Sequence, residues 1–447
     1  MLVRLSRILL GRKSTGGFVL SSDRSREVLS AKRFSDLGIG GTLVESLREN
    51  LKAIRATEIQ AKSFESIFSG KDVTMCSETG SGKTLAYLIP LLERIHRQRA
   101  SGSGSTTSGF DLLGRSSPPV VVLCPTSDLC NQVLQVASKI DPSNEISKQW
   151  LGGPKTESSS SSMMILMGPR IRWGAVDLVV STPAKFVDDL VRFREDKLMP
   201  STIVFDEADF MFHGSTNEAM IEIFKYIRRP SSSMPSVQSI FVSATMPDIG
   251  KHSLGSLLIQ RFMTAEVIET KNFHTIPACI GEVEFVPELD GDWNQRCYLL
   301  TQELAKYFPG SQTVLVFVNA NRNASILYRF LKEKKWPVDL FHAGGVVSNT
   351  DDGRIVVATD LAARGIDWNG GVDVVVNFQM PTDVVSWIHR AGRCGRLGRN
   401  GRVVSFYKKQ EEALVDLLKE KVNSGDRLDT LFSRKRSLRR RLMERKK

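Results

Sequence analysis

Short uninterrupted apolar runs recur along the chain and alternate with stretches whose apolar residues return at helical spacing. Val120-Val121-Val122-Leu123-Cys124, Val176-Asp177-Leu178-Val179-Val180, Thr202-Ile203-Val204-Phe205 and Ser239-Ile240-Phe241-Val242 read as strands buried on both faces. An earlier run, Asp72-Val73-Thr74-Met75-Cys76, leads into a glycine-rich turn and then Leu85 to Leu92, which reads as a buried helix. Leu43 to Leu47 and Ala61 to Phe68 have helical spacing. A second strand series begins at Val314 to Val318 and continues with Val338 to Phe341, Ile355 to Ala358, Val374 to Asn377 and Val403 to Phe406. The pattern predicts two tandem α/β units of similar layout, each with a parallel sheet, and a cleft between them.

The gaps in the pattern set the expected boundaries. Ala100 to Pro119 and the serine run Ser158 to Ser162 read as surface loops, and residues 266–280, which lack periodicity and contain Pro277, as an interdomain linker. The expected division is therefore a basic N-terminus (1–33), a first domain (34–265), the linker, a second domain (281–425) closing with a helix near Glu411 to Val422, and a basic tail (426–447).

The apolar runs of the first unit end in polar clusters: Pro125-Thr126, Ser181-Thr182-Pro183, Asp206-Glu207-Ala208-Asp209 and Ser243-Ala244-Thr245. Open parallel sheets bind ligands beyond the carboxyl ends of their strands, so these clusters describe one site. Its centre is Ser77-Glu78-Thr79-Gly80-Ser81-Gly82-Lys83-Thr84, between a strand and a helix. Glycines at 80 and 82 let backbone N–H groups and the helix N-terminus point at phosphate oxygens. Lys83 adds a charge for the β- and γ-phosphates, and Thr84 offers a hydroxyl to Mg²⁺. Ser77 stands where the strict pattern has glycine, and the competing reading is a flexible Gly/Ser turn. The strand-end acids fit the same chemistry: Asp206 to hold Mg²⁺, partly through water, and Glu207 to polarise the attacking water. His389-Arg390-Ala391-Gly392-Arg393-Cys394-Gly395-Arg396 gathers arginines that can enter the cleft from the second domain and stabilise charge on a transferring phosphoryl group.

Charge adds a further element. The chain of 447 residues has a net charge of +12, of which residues 1–33 contribute +6 and residues 434–447 contribute +8, leaving −2 on residues 34–433. The start, with Arg4, Arg7, Arg12 and Lys13 among Leu2, Leu5, Ile8 and Leu9 and no acid before Asp23, has the composition of an organelle transit peptide, and a disordered basic tail is the alternative. The mitochondrion is the expected compartment, with the plastid as the alternative. Six scattered cysteines without a Cys-x-x-Cys pair argue against zinc and disulfide frameworks, and no apolar run is long enough to span a membrane.

These motifs, in this order, resemble those of the DEAD-box RNA helicases (superfamily 2) from about Phe34 to about Tyr407. The resemblance implies two RecA-like domains with nucleotide and RNA between them, and an RNA-stimulated ATPase acting as a monomer with ATP and Mg²⁺, alone or with ribonucleoprotein partners. It implies that Gln60 reads the adenine and that Ser77, Thr79, Gly80, Ser81, Gly82, Lys83 and Thr84 hold the phosphates. It further implies catalytic roles for Asp206, Glu207 and Lys83, arginine fingers at Arg393 and Arg396, and nucleotide contacts from Gly365 and Asp367. Asp209, Ser243, Thr245 and His389 would couple hydrolysis to RNA handling, and Thr126, Gly153, Thr182, Thr359 and Asp360 lie in segments that grip the RNA backbone.

Three departures stand out. Lys52-Ala53 and Ala56 replace a Gly-aromatic pair and a Pro before Gln60, although Phe34 fits the upstream aromatic. Ser127-Asp128 replaces Arg-Glu after Thr126, removing a cation from the expected RNA track. Only residues 344–353 separate the Phe341-His342-Ala343 end of one strand from Arg354, where the family has a crossover helix. That gap predicts either a bare loop over exposed apolar surface or a shortened product or mis-assembled gene model, with a poorly folded second domain, and it motivates a rival reading as an RNA clamp with little ATP turnover. A DNA-directed helicase is the other alternative.

Overall fold

The computed structural model describes residues 18–19, 29–100, 118–151, 165–168, 170–171, 175–192, 199–212, 216–227, 236–246, 262–277, 280–288, 292–341, 353–360, 371–394 and 400–432. Its first sheet has eight strands in the order Glu266–Glu269, Val73–Cys76, Gln238–Ser243, Thr202–Asp206, Val120–Leu123, Leu178–Ser181, Lys148–Leu151, Ile165–Gly168, and every pairing is parallel. The uninterrupted apolar runs follow from burial on both faces. Val120, Val122, Val204, Ile240 and Val242 point to a core with the helices Gly41–Asn50, Glu58–Phe68, Lys83–Ala100 and Ser127–Ile140. Val121, Leu123, Ile203, Phe205 and Phe241 point to the opposite core, with Phe186 and Phe224 from the helices Pro183–Arg192 and Thr216–Ile227.

The second sheet runs Phe18–Val19, Ile280–Pro287, Gly401–Tyr407, Val374–Asn377, Thr313–Val318, Arg354–Thr359, Val338–Leu340, parallel except for the antiparallel Phe18–Val19 edge. It too has a core on each face, one under Trp293–Leu304 and Asn321–Glu333, the other under Val384–Ala391 and Glu412–Ser424. Among the described residues, no helix is long and apolar enough to cross a membrane.

Several expectations change. Residues 342–352, most of the short crossover, lie outside the described residues, but the strands it joins are adjacent and parallel, with Val338 opposite Ile355 and Leu340 opposite Val357. Phe341, Val356 and Ala358 are buried, so the described residues around the connection carry neither the exposed apolar surface nor the disrupted sheet expected there. Leu29–Arg33 pairs with Arg55–Thr57, and Phe18–Val19 with the second sheet, so residues 1–33 are not uniformly without structure. Glu266–Glu269, expected to be linker, is the edge strand of the first sheet. The expected tail begins as packed chain: Leu428, Leu431 and Phe432 are buried in the second domain's core.

The departure before Gln60 has a backbone consequence. Lys52 follows the helix Gly41–Asn50 with φ of 54°, while the N–H groups of Leu51 and Ala53 both donate to the carbonyl of Leu47. A left-handed residue just past a helix is the place where glycine avoids the Cβ clash. Phe34, the upstream aromatic, is 1% exposed and packs inside the first domain's core. Replacing the exposed Lys52 by glycine is expected to stabilise the first domain by about 1 kcal/mol, read as a higher urea midpoint at unchanged slope; an unchanged or lower midpoint would refute the strain.

Candidate active site in the interdomain cleft

Val73–Cys76 delivers the glycine-rich loop to the carboxyl edge of the first sheet, and the helix Lys83–Ala100 carries the chain away. Gly80 and Gly82 have φ of 82° and 85°, the left-handed conformation that the curl of the loop requires. Ser77 is built into the loop rather than left loose: its Oγ lies 2.5 Å from Ser81 Oγ, and its N–H donates to the Ser243 carbonyl at 3.3 Å. Lys83 Nζ donates to the carbonyls of Ser77 and Glu78 at 3.0 and 2.8 Å. Burial lowers its pKa, against the carboxylates of Glu207, Glu78 and Asp206.

Gln60 reaches the same loop. Its Oε1 accepts from the Thr57 N–H at 2.9 Å, closing a capping box, and its Nε2 donates to the Gly82 carbonyl at 3.1 Å. A glutamine amide has two donor hydrogens and two acceptor lone pairs, so one of each remains for a ligand.

Asp206 ends the strand Thr202–Asp206 and is buried. Its Oδ2 accepts from Tyr87 Oη at 2.8 Å and its Oδ1 from the Glu207 N–H at 3.0 Å. Burial and the neighbouring Glu207 push its pKa up to about 7, against Tyr87 and Lys83. Tyr87 was not singled out in the sequence, because an aromatic in an apolar helix reads as core. Glu207 sits in the left-handed region (φ 53°, ψ 48°) at the start of the helix Ala208–Met211, a strained position held by the strand before it and the helix after it.

Asp209 joins the two domains. Its Oδ2 accepts from Thr245 Oγ1 of the first domain and, at 2.7 Å, from His389 Nε2 of the second. Ser243 Oγ donates to the Thr245 carbonyl and accepts from the Thr245 N–H, which holds that turn. His389 Nδ1 faces Glu207 Oε2 across 3.9 Å, and neither atom has a partner among the described residues. Arg393 Nη2 lies 4.0 Å from Glu207 Oε1. Asp209, His389 and Arg393 are all nearly buried, and a buried polar group left without its partner costs about 1–3 kcal/mol.

The remaining expected residues line the strand ends. Thr126 Oγ1 caps the helix Ser127–Ile140 by accepting from the Leu129 N–H at 3.3 Å, and Thr182 precedes the helix Pro183–Arg192. Thr359 Oγ1 donates to Asn321 Oδ1 at 3.2 Å. Asp360, expected on the RNA track, has both carboxylate oxygens on Arg390, at 2.6 and 2.7 Å, so its side chain anchors this segment. Arg390, read in the sequence among the arginines of the cleft, is instead 1% exposed and also donates to Asn319, Asn377 and Gln379. Gly153, Gly365, Asp367 and Arg396 lie outside the described residues.

At the interface between domains, Gly392 leaves no room for a side chain: a Cβ there would sit 1.9 Å from Thr79 Oγ1 of the phosphate loop. Gly392→Ala is expected to hold the domains apart, seen as a longer distance between fluorophores on the two domains. Both domains should unfold as in wild type; a wild-type distance would refute the steric argument.

Comparison with known proteins agrees with this geometry. The model of the DEAD/DEAH box helicase family matches residues 57–252, and that of the helicase conserved C-terminal domain matches residues 299–398. The Arabidopsis thaliana DEAD-box ATP-dependent RNA helicase 39 is 28% identical over 440 residues, covering 92% of this chain and 64% of the relative. A probable ATP-dependent RNA helicase DDX4 of Pelophylax lessonae is 28% identical over 385 residues, covering 82% and 49%. The chain thus spans about half to two thirds of these relatives' lengths. In fold it resembles the DEAD-box helicase Mss116 bound to ssRNA and UDP-BeF (TM-score 0.68, 20% identity, 89% of this chain and 79% of that one). It also resembles S. cerevisiae Dbp5 bound to RNA and ADP BeF3 (TM-score 0.67, 22% identity, 88% and 94%). With a phosphate loop, an Asp-Glu-Ala-Asp strand end whose last carboxylate meets a second-domain histidine, and both domains matched in order, the chain belongs to the DEAD-box helicase family.

Proposed function

We propose that this protein is an ATP-dependent RNA helicase that separates short RNA duplexes locally or remodels RNA–protein complexes. The observation that carries the reading is Asp209, whose one carboxylate oxygen is held by Thr245 from one domain and His389 from the other. Only a closed cleft makes both contacts, so chemistry in the cleft is tied to the relative position of the two RNA-facing domains.

The residues have distinct tasks. The loop amides and Lys83 bind the triphosphate, and the free donor and acceptor of Gln60 meet the adenine. Glu207 Oε2 and His389 Nδ1 face each other across 3.9 Å at the domain boundary, which supports Glu207 as the group that activates the attacking water. Arg393 stabilises charge on the γ-phosphoryl group from the second domain. Asp206 and Thr84 would hold Mg²⁺: the Asp206 carboxylate is buried beside Glu207, and both effects disfavour its charge in the absence of a cation. The bound ion would neutralise phosphate charge there.

The RNA segments grip by backbone. Thr126 and Thr182 stand at helix N-termini beyond adjacent strands, a geometry for phosphates rather than base edges, and so of little sequence specificity. Both fold neighbours carry RNA and a nucleotide or its analogue, which supports this placement. ATP and RNA together favour the closed state, closure bends one strand off its partner, and hydrolysis resets the cleft.

Steady-state ATPase assays with RNA, DNA or neither test the proposal. RNA is expected to raise turnover at least about tenfold, and Glu207→Gln to remove about 10²-fold of the stimulated rate. ATP binding without RNA stimulation would favour the clamp reading, and equal stimulation by DNA the DNA-directed one. The arginine-rich, acid-poor first residues further support import into the mitochondrion, with the plastid as alternative. A reporter fused to residues 1–33 is expected to enter that organelle, and a diffuse cytosolic signal would sink this assignment.

A further inference from the structure

Outside the cleft, the two domains meet a second time at the linker. Thr270 N–H donates to the Cys76 carbonyl at 3.2 Å, and its hydroxyl to Glu78 Oε2 of the phosphate loop at 3.0 Å. Four residues on, His274 takes a left-handed conformation (φ 63°) with its ring buried, a strained arrangement for a residue with a Cβ. Its Nε2 accepts from the Met246 N–H at 2.8 Å. Met246 follows Thr245, whose hydroxyl donates to Asp209.

The other side of His274 belongs to the chain beyond the second domain's last long helix. The Leu428 N–H donates to the His274 carbonyl at 2.9 Å, and the Phe432 ring stands edge-on to the imidazole at 4.5 Å between centroids. Arg427 adds an ion pair with Glu269 at 3.5 Å and lies over the Phe273 ring. Leu428 and Phe432 are rooted in the second domain's core.

We propose that His274 is a positioning residue that ties the segment Leu428–Phe432 to the Ser243–Met246 turn, forming a route from the second domain to Asp209 independent of His389. The inference rests on the helicase reading for its consequence in activity, but not for the coupling itself. Its chemistry requires an unprotonated Nε2. Burial lowers the pKa of His274 to about 4, with Asp429 and Asp209 raising it and Arg427 lowering it, so the ring is neutral and the proton resides on Nδ1. The hydrogen-bonded route from His274 Nε2 to Asp209 runs through the Met246 N–H and the adjacent Thr245 hydroxyl, so a defect on replacing His274 or Phe432 is expected to act through the turn.

The test uses the full chain and three variants. His274→Leu removes the acceptor, His274→Gln places an amide oxygen near the position of Nε2, and Phe432→Ala removes the ring from the other side. His274→Leu is expected to lower RNA-stimulated kcat by about fivefold, what one neutral hydrogen bond contributes to the preference for the closed state. KM for ATP and the RNA-free rate should stay near wild type, and His274→Gln should recover most of the loss. Amide exchange provides a readout that needs no activity: His274→Leu and Phe432→Ala should each speed exchange in the peptide containing Met246. A role for Phe432 in local packing alone would confine faster exchange to residues 412–432. Wild-type exchange at Met246 in both variants would overturn the proposal, as would a glutamine variant as defective as the leucine one. If the wild-type chain shows no RNA-stimulated ATPase, the functional reading fails, while the exchange result still decides whether His274 couples the two segments.

Discussion

The Asp209 carboxylate is the constraint on which the arrangement of this protein depends. A buried carboxylate must be met by donors, and here they come from opposite domains, Thr245 from one and His389 from the other. Much of the surrounding structure serves to aim these two side chains. His389 lies on a helix fixed at its start by Asp383, which accepts from the Ser386 N–H, and at its middle by Trp387, whose indole N–H donates to Ser405. One residue on, Arg390 locks the same helix to Asp360, Asn319 and Asn377. Thr245 is held by the turn that begins at Ser243, the end of the strand beside the phosphate loop. Opening the cleft removes a donor from Asp209, so the energetic state of that one group reports whether the domains are together.

The two sheets supply rigidity for this aim. Successive residues of each strand enter cores on opposite faces, so neither sheet can shift register without placing a full set of side chains in the wrong core. The phosphate loop, the Asp-Glu-Ala-Asp segment and the Ser243–Thr245 turn sit at strand ends, where the backbone leaves the ladder and is free to turn, while Gln60 and His389 reach them from helices. One of these strand ends is strained: Glu207 adopts the left-handed conformation directly after Asp206.

What the sequence revealed follows from where its signal is local. Runs such as Val120 to Leu123 and Val374 to Asn377 are apolar at every position because both faces are covered, and they were legible as strands. The strand Lys148–Leu151 was not, because its burial depends on partners distant in the pattern. Lys148 is fully buried against Asp141 at 2.5 Å, and Gln149 donates to the Arg170 carbonyl, so polar residues form an interior strand. Likewise, the phosphate loop and the Asp-Glu-Ala-Asp segment could be read from spacing, whereas the roles of Tyr87 on Asp206 and Arg390 on Asp360 could not. An aromatic in an apolar helix and an arginine in a basic cluster look the same in sequence whether or not a carboxylate lies opposite.

The linker shows the same limit and indicates how the parts cooperate. Read as sequence, residues 266–280 lack periodicity and contain Pro277, so they suggest a passive tether. In the fold they begin as an edge strand, hold Glu78 through Thr270 and are gripped by Lys62 on the Glu269 carbonyl at 3.1 Å. A tether of this kind cannot swing freely about the phosphate loop, because its first residues are part of the loop's own surroundings. Domain motion is then expected to begin beyond His274, where, among the described residues, the holds on the first domain include His389 on Asp209 and Arg393 facing Glu207. Each such contact contributes about 1 kcal/mol, so a ligand needs only a modest preference for the closed state to move the equilibrium, and the hinge stays responsive without becoming loose.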